Sequence, residues 1–125
     1  MSSGKLSILA ILSLAFVIVY ANSSVSDHLA FHGKVTHSGV PLNQGLVLLH
    51  PEEGTESQII AAFVESGVFH VDSETGPVPG KYRVEVYRIG SDHSIDPSFP
   101  KQYNEQSKME LEIPNESELY AEFEL

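Results

Sequence analysis

Cysteine is absent from this 125-residue chain. That excludes a disulfide framework, a thiolate nucleophile, a cysteine-based zinc site and a lipid-bearing cysteine. Basic residues are also few, 7 Lys and Arg against 17 Asp and Glu, for a formal net charge of −10. A binder of the nucleic-acid phosphate backbone needs a basic patch, so nucleic acid is not an expected partner. The length leaves room for one domain only. No window after residue 30 carries a sustained 3.6-residue apolar period, which argues against amphipathic helices there.

What the chain does have begins with one apolar run. Residues 6–21, LSILAILSLAFVIVYA, hold fourteen apolar or aromatic residues and two serines, preceded by MSSGK with Lys5. Val19-Tyr20-Ala21 offers small or β-branched residues before a possible cut, and polar residues follow. This is the layout of a secretory signal peptide with an apolar helix at its centre. Sixteen residues fall short of the roughly 17–25 of a membrane-spanning helix. An uncleaved anchor is the rival reading, and the only expected route to a membrane. Either way the remainder is expected outside the cytoplasm: secreted, periplasmic or attached to the cell envelope. The expected division is a signal at 1–21, a flexible leader at 22–30 and a folded domain at 31–125. Cleavage after Ala21 leaves 125 − 21 = 104 residues with a net charge of 6 − 17 = −11.

Beyond the leader, apolar residues alternate with period two. Tyr82, Val84 and Val86 share one face of GKYRVEVYR; Met109, Leu111 and Ile113 share one face of KMELEI; Leu119, Ala121, Phe123 and Leu125 share one face of LYAEFEL. Each reads as a half-buried antiparallel strand with one wet face. The more continuously apolar LVLLH (46–50) and IIAAFV (59–64) suit central strands, and FHGKVT (31–36) and GVFHV (67–71) complete a set of seven. Glu65-Ser66-Gly67 marks a tight hairpin. Seven short strands separated by turns indicate an all-β, antiparallel β-sandwich. The one long connection, residues 90–107, is where a binding function would reside. Its Asp96, Phe99, Lys101 and Tyr103 offer charged and aromatic contacts to a ligand; the alternative is that the loop packs over the sandwich edge.

Several of these segments also occur in a familiar order. Gly33-Lys34-Val35-Thr36, Gly39-Val40-Pro41-Leu42 and Gly45-Leu46-Val47-Leu48-Leu49-His50-Pro51 are followed by Gly67-Val68-Phe69, Val78-Pro79-Gly80-Lys81-Tyr82-Arg83-Val84 and Pro100-Lys101-Gln102-Tyr103-Asn104. This series resembles small bacterial secreted domains of the transthyretin-like, carboxypeptidase-regulatory-like superfamily, over residues 31–125. The resemblance implies a seven-stranded, two-sheet Greek-key sandwich and no catalytic activity. Tyr82 and Tyr103 are expected to bury their rings and to bond their hydroxyls to backbone, as in a tyrosine corner.

Candidate chemistry is sparse. His50-Pro51-Glu52-Glu53 contains H-x-x-E, but a zinc peptidase needs a third ligand and a larger scaffold than this chain can form. Asp72-Ser73-Glu74-Thr75-Gly76 places its glycine at position 5, where a calcium loop needs it at 6. Ser91-Asp92-His93 sets triad residue types side by side, where catalysis needs them to converge from separate elements. His28, His32 and His37 are the candidate metal ligands, because neutral imidazoles hold Zn²⁺, Cu²⁺ or Ni²⁺; solvated polar residues are the simpler account. His70 and His93 read as isolated. The leading expectation is a non-catalytic exported module, without a cofactor, that meets a protein or cell-surface partner. A histidine-dependent metal-binding accessory protein is the alternative, and a small transthyretin-like hydrolase ranks below it.

Overall fold

The computed structural model describes residues 6–12, 15–22, 28–115 and 118–125. The MSSGK segment and most of the expected leader lie outside the described residues. The chain forms β1 (Leu6–Leu12), β2 (Ala15–Asn22), β3 (Ala30–His37), β4 (Val40–Pro41), β5 (Gln44–Pro51), β6 (Ile60–Glu65), β7 (Val68–Val71), β8 (Gly80–Arg88), β9 (Met109–Ile113) and β10 (Glu118–Glu124). Two short 3-10 turns, Ser73–Thr75 and Lys101–Tyr103, are the only helical turns among the described residues. No helix among them is long and apolar enough to cross a membrane.

All seven expected strands are present. The hydrogen-bonded order is β1-β2-β10-β3-β7-β6-β5-β8-β9, with β4 paired to β3 off this path. Every pairing is antiparallel except β10 with β3, which is parallel over Glu118–Glu124 and Ala30–Thr36. The architecture is therefore all-β and mostly antiparallel, but the strands follow one continuous sheet curled into a half-barrel, not two separately bonded sheets.

A second difference concerns the N-terminus. The apolar run at 6–21, expected as a signal helix, instead supplies β1 and, with Asn22, β2, which pair as a hairpin, with β2 antiparallel to β10 from Asn22↔Glu118 to Phe16↔Glu124. The physical reason lies in the composition of Phe16-Val17-Ile18-Val19-Tyr20: β-branched and aromatic side chains favour a strand as much as an apolar helix. Beside them β10 presents a row of backbone donors and acceptors.

The period-two pattern becomes burial. Tyr82, Val84 and Val86 from β8, Met109, Leu111 and Ile113 from β9, and Leu119, Ala121 and Phe123 from β10 all point into the core. Phe31 and Val35 of β3, Val47 and Leu49 of β5, and Ile60, Ala62 and Val64 of β6 join them. The segment at 59–64 alternates more strictly than its apolar content suggests, because Phe63 on the outer face is 72% exposed. Two details fix the local geometry. Ser66 (φ 52°) and Gly67 (φ 83°) both take left-handed conformations, which matches the twist of the β6–β7 hairpin. At Gly33 a Cβ atom would stand 1.8 Å from the Ala121 carbonyl oxygen, so only glycine lets β3 lie against β10 there. Tyr82 fulfils its expected role: it is fully buried, its hydroxyl donates to the Val78 carbonyl at 2.7 Å and accepts from the Val78 N–H at 3.1 Å.

Candidate functional site

The long connection leaves β8 at Arg88 and folds back on itself. Ile89 bridges Ile95, and the Gly90 N–H donates to the Ser94 carbonyl at 2.8 Å. Two aspartates then close local turns. Asp92 Oδ1 accepts from the Ser94 hydroxyl and N–H, and Asp96 Oδ1 accepts from the Ser98 hydroxyl and N–H. These bonds favour the ionised carboxylates. The Ser94 hydroxyl is the main reason Asp92 stays below the usual carboxylate range; for Asp96 it is the Ser98 hydroxyl, with Arg88 adding to it. Asp96 Oδ2 also accepts from Arg88 Nε at 3.0 Å.

The four loop residues expected to meet a ligand are placed differently from one another. Phe99 and Tyr103 are buried, with ring centroids 5.6 Å apart. The His37 ring packs edge-on to both, at 5.0 and 5.6 Å, and the Arg88 guanidinium sits 4.9 Å over the Phe99 ring. Asp96 is half-buried beside Arg88, while Lys101 is exposed and lies 3.5 Å from Glu105. Further along, Asn104 Nδ2 donates to the Val86 carbonyl and the Ser107 hydroxyl to the Val84 carbonyl. Phe99, Tyr103 and Asp96 thus come together around Arg88 and His37 as packing, and Lys101 faces solvent.

The three candidate metal ligands are dispersed along the chain. His28 Nδ1 is 3.1 Å from the Gly76 carbonyl oxygen, and the adjacent Leu29 is fully buried with its N–H donated to Pro77. His37 is the loop's packing partner. His32, between them, points to the outer face of the sheet, where its ring meets Tyr120 edge-on at 5.3 Å. Its cross-strand partner is His70 of β7, with ring centroids 6.2 Å apart. His70 is therefore not isolated, and His70 Nε2 lies 2.8 Å from Asp72 Oδ1. Among the described residues no group of three or more His, Asp or Glu is arranged to hold a metal.

A further polar cluster sits on the outer face of β5 and β8, unexpected from the sequence. Glu85 is only 7% exposed. It accepts from Arg83 Nη1 at 2.7 Å and from the Tyr87 hydroxyl at 3.0 Å. His50 Nε2 lies 3.0 Å from Glu85 Oε1. Burial alone would push the Glu85 carboxyl up; Arg83, His50 and Tyr87 outweigh it and hold the group below its ordinary range. Burial and the neighbouring Glu85 carboxylate push the Tyr87 phenol up. The alternation of Arg83, Glu85 and Tyr87 was visible in the sequence, but the burial of the middle one depends on β5 lying alongside.

Two open clefts also lie on the surface of the described residues. One of about 700 Å³ is lined by His28, Glu56, Ser57, Ile59 and Glu74 among others; the second, about 340 Å³, is lined by Gln44, Phe63, Ile89 and His93 among others. Neither joins the loop cluster to the β5–β8 cluster.

No protein-family model matches the chain, and no significant match is found among curated proteins or solved structures.

Proposed function

We propose that this chain is a non-catalytic, exported β-sandwich of the transthyretin-like type, serving as an interaction or structural module of the cell envelope. The strand path supports the sandwich. Only Val64↔Phe69 and Glu65↔Val68 pair β6 with β7, so the curled sheet has a natural crease there. On either side, β10-β3-β7 and β6-β5-β8-β9 become two leaves that share one core. The order of motifs from Gly33 to Asn104 supports the same reading. The apolar run at 6–21 supports export.

The observation that carries the functional reading is how the polar groups of the long connection are used. Arg88 and Asp96 bond each other, the two aspartates cap their own turns, and Asn104 and Ser107 bond strand carbonyls. A catalytic loop needs a nucleophile or base aimed at a substrate position; these groups are aimed at the scaffold. A loop of this kind presents a rigid surface rather than a reaction centre.

The experiment is to produce the chain with its own N-terminus in an export-competent cell and to measure the mass and location of the product. The expected result is a 104-residue protein beginning at Asn22, outside the cytoplasm, with no turnover in an ester, amide and phosphoester panel. A full-length product confined to the cytoplasm overturns the export reading. Turnover that disappears on Asp96→Asn or His50→Gln substitution overturns the non-catalytic one.

A further inference from the structure

His32 and His70 stand directly opposite each other on adjacent antiparallel strands. Their neighbours Phe31, Phe69 and Val71 are buried, so the alternation sends both imidazoles to the outer face. Directly opposed residues have Cβ atoms about 4.5–5.5 Å apart, a spacing at which long side chains converge above the sheet. The rings are already 6.2 Å apart between centroids. At this separation one nitrogen of each ring is within reach of a single ion placed between them. The two strands thus hold two imidazole side chains directly opposite each other on one face.

Asp72 adds an independent pointer. Its Oδ1 lies 2.8 Å from His70 Nε2, and a carboxylate at that nitrogen favours the tautomer with the proton on Nε2. The lone pair is then left on Nδ1. A carboxylate bonded to the far nitrogen of a ligating imidazole is the arrangement that orients such ligands and raises their basicity. The His70 side chain is 63% exposed, so a hydrated ion reaches it directly. The edge contact from Tyr120 limits the orientations of His32.

We propose that His32 and His70 form a binding site for one late first-row divalent cation on the outer face of β3 and β7, with Asp72 as a positioning residue. Two imidazoles replace two waters of the aqua ion, and water keeps the remaining positions. Imidazole donors suit Cu²⁺, Ni²⁺ and Zn²⁺, and affinity follows the order in which Cu²⁺ binds most tightly. The chain's excess of acidic groups raises the local cation concentration. The other four histidines belong elsewhere: His28 beside Gly76, His37 under the long loop, His50 at Glu85 and His93 within the loop. The site is independent of whether the module has a protein partner.

The test is calorimetric titration of the full chain with CuCl₂ and NiCl₂ in a non-chelating buffer, with Cu²⁺ electron paramagnetic resonance as a second readout. The expected result is one saturable equivalent, tighter for Cu²⁺ than for Ni²⁺, with two coordinated nitrogens. His70→Gln and His32→Gln should each weaken binding at least tenfold and leave one nitrogen. Asp72→Asn should weaken it by about tenfold while both nitrogens remain. His28→Gln and His93→Gln should change nothing. Absence of saturable binding, equal binding by the His32→Gln/His70→Gln double variant, or loss of the site in His28→Gln overturns the proposal. A thermal melt of each variant shows that it is folded.

Discussion

The outer faces of the two sides of the sheet carry similar residue types and treat them in opposite ways. On β5 and β8, His50 meets a carboxylate whose remaining bonds go to Arg83 and Tyr87, and the whole set is drawn down onto the sheet. On β3 and β7, His70 also meets a carboxylate, but both groups stay in solvent, with side chains 63% and 78% exposed. The difference is what surrounds the acid. Glu85 lies on a strand between two others, so its neighbours cover it; Asp72 follows the end of a short strand, where nothing does. The covered cluster fixes the strands, and the uncovered pair is left able to take an incoming ion. The same His–carboxylate contact is therefore a structural element in one place and an available donor in the other, and burial decides which.

Five substitutions test that contrast. The largest effect is expected from Gly33→Ala, because the new methyl group would overlap the Ala121 carbonyl and force β3 from β10. We expect a loss above about 4 kcal/mol in denaturant unfolding, together with disruption of the His32 face. A loss below about 1 kcal/mol would show that the two strands are not so closely paired. Next is Glu85→Ala, which removes the buried carboxylate shared by Arg83, Tyr87 and His50. A cost of roughly 1–3 kcal/mol is expected, and a neutral result would remove the structural role given to the cluster.

Acid titration of stability sharpens the same point. The Glu85 carboxyl is lowered in the folded state from an ordinary value of 4.5, so its contribution is present at neutral pH. That contribution is lost as pH falls below 4.5 and through the folded-state value. Glu85→Gln should flatten the acid limb of the stability profile; an unchanged limb would assign the acid sensitivity to other carboxylates. The smallest effect belongs to the exposed pair. His32→Ala and His70→Ala should each stay within about 0.5 kcal/mol of the parent in metal-free buffer. A larger loss would mean that this face is a structural cluster like the other.

How much of this was legible in the sequence follows from the range of the interactions involved. Period-two alternation is local, and the inward residues of β8, β9 and β10 could be read from it one by one. The tight turn at Ser66-Gly67 and the backbone-bonded Tyr82 hydroxyl are local too. The curl of the sheet into one continuous path was not legible, because it depends on which strands meet, and β3 meets β10 across most of the chain. The same limit hid both polar clusters. His70 looked solitary because its partner is 70 − 32 = 38 positions away, and Glu85 looked solvated because β5 must arrive before it is covered. For Phe99 and Tyr103 the residue types suggested contact surface, and the contact is made with His37 and Arg88. The apolar run at 6–21 shows the converse: its composition suits a helix and a strand equally, so only context distinguishes them.

The parallel pairing of β10 with β3 has a consequence in time. Its partners are 118 − 30 = 88 positions apart, and β10 fills its slot only after nearly every other strand has been synthesised. Until then β3 has one bare flank, and Leu119, Ala121 and Phe123 are missing from the core. Pairings this distant are reached late and slowly. The core of this sheet is therefore closed by one of its most distant pairings, and it is complete only when β10 has settled beside β3.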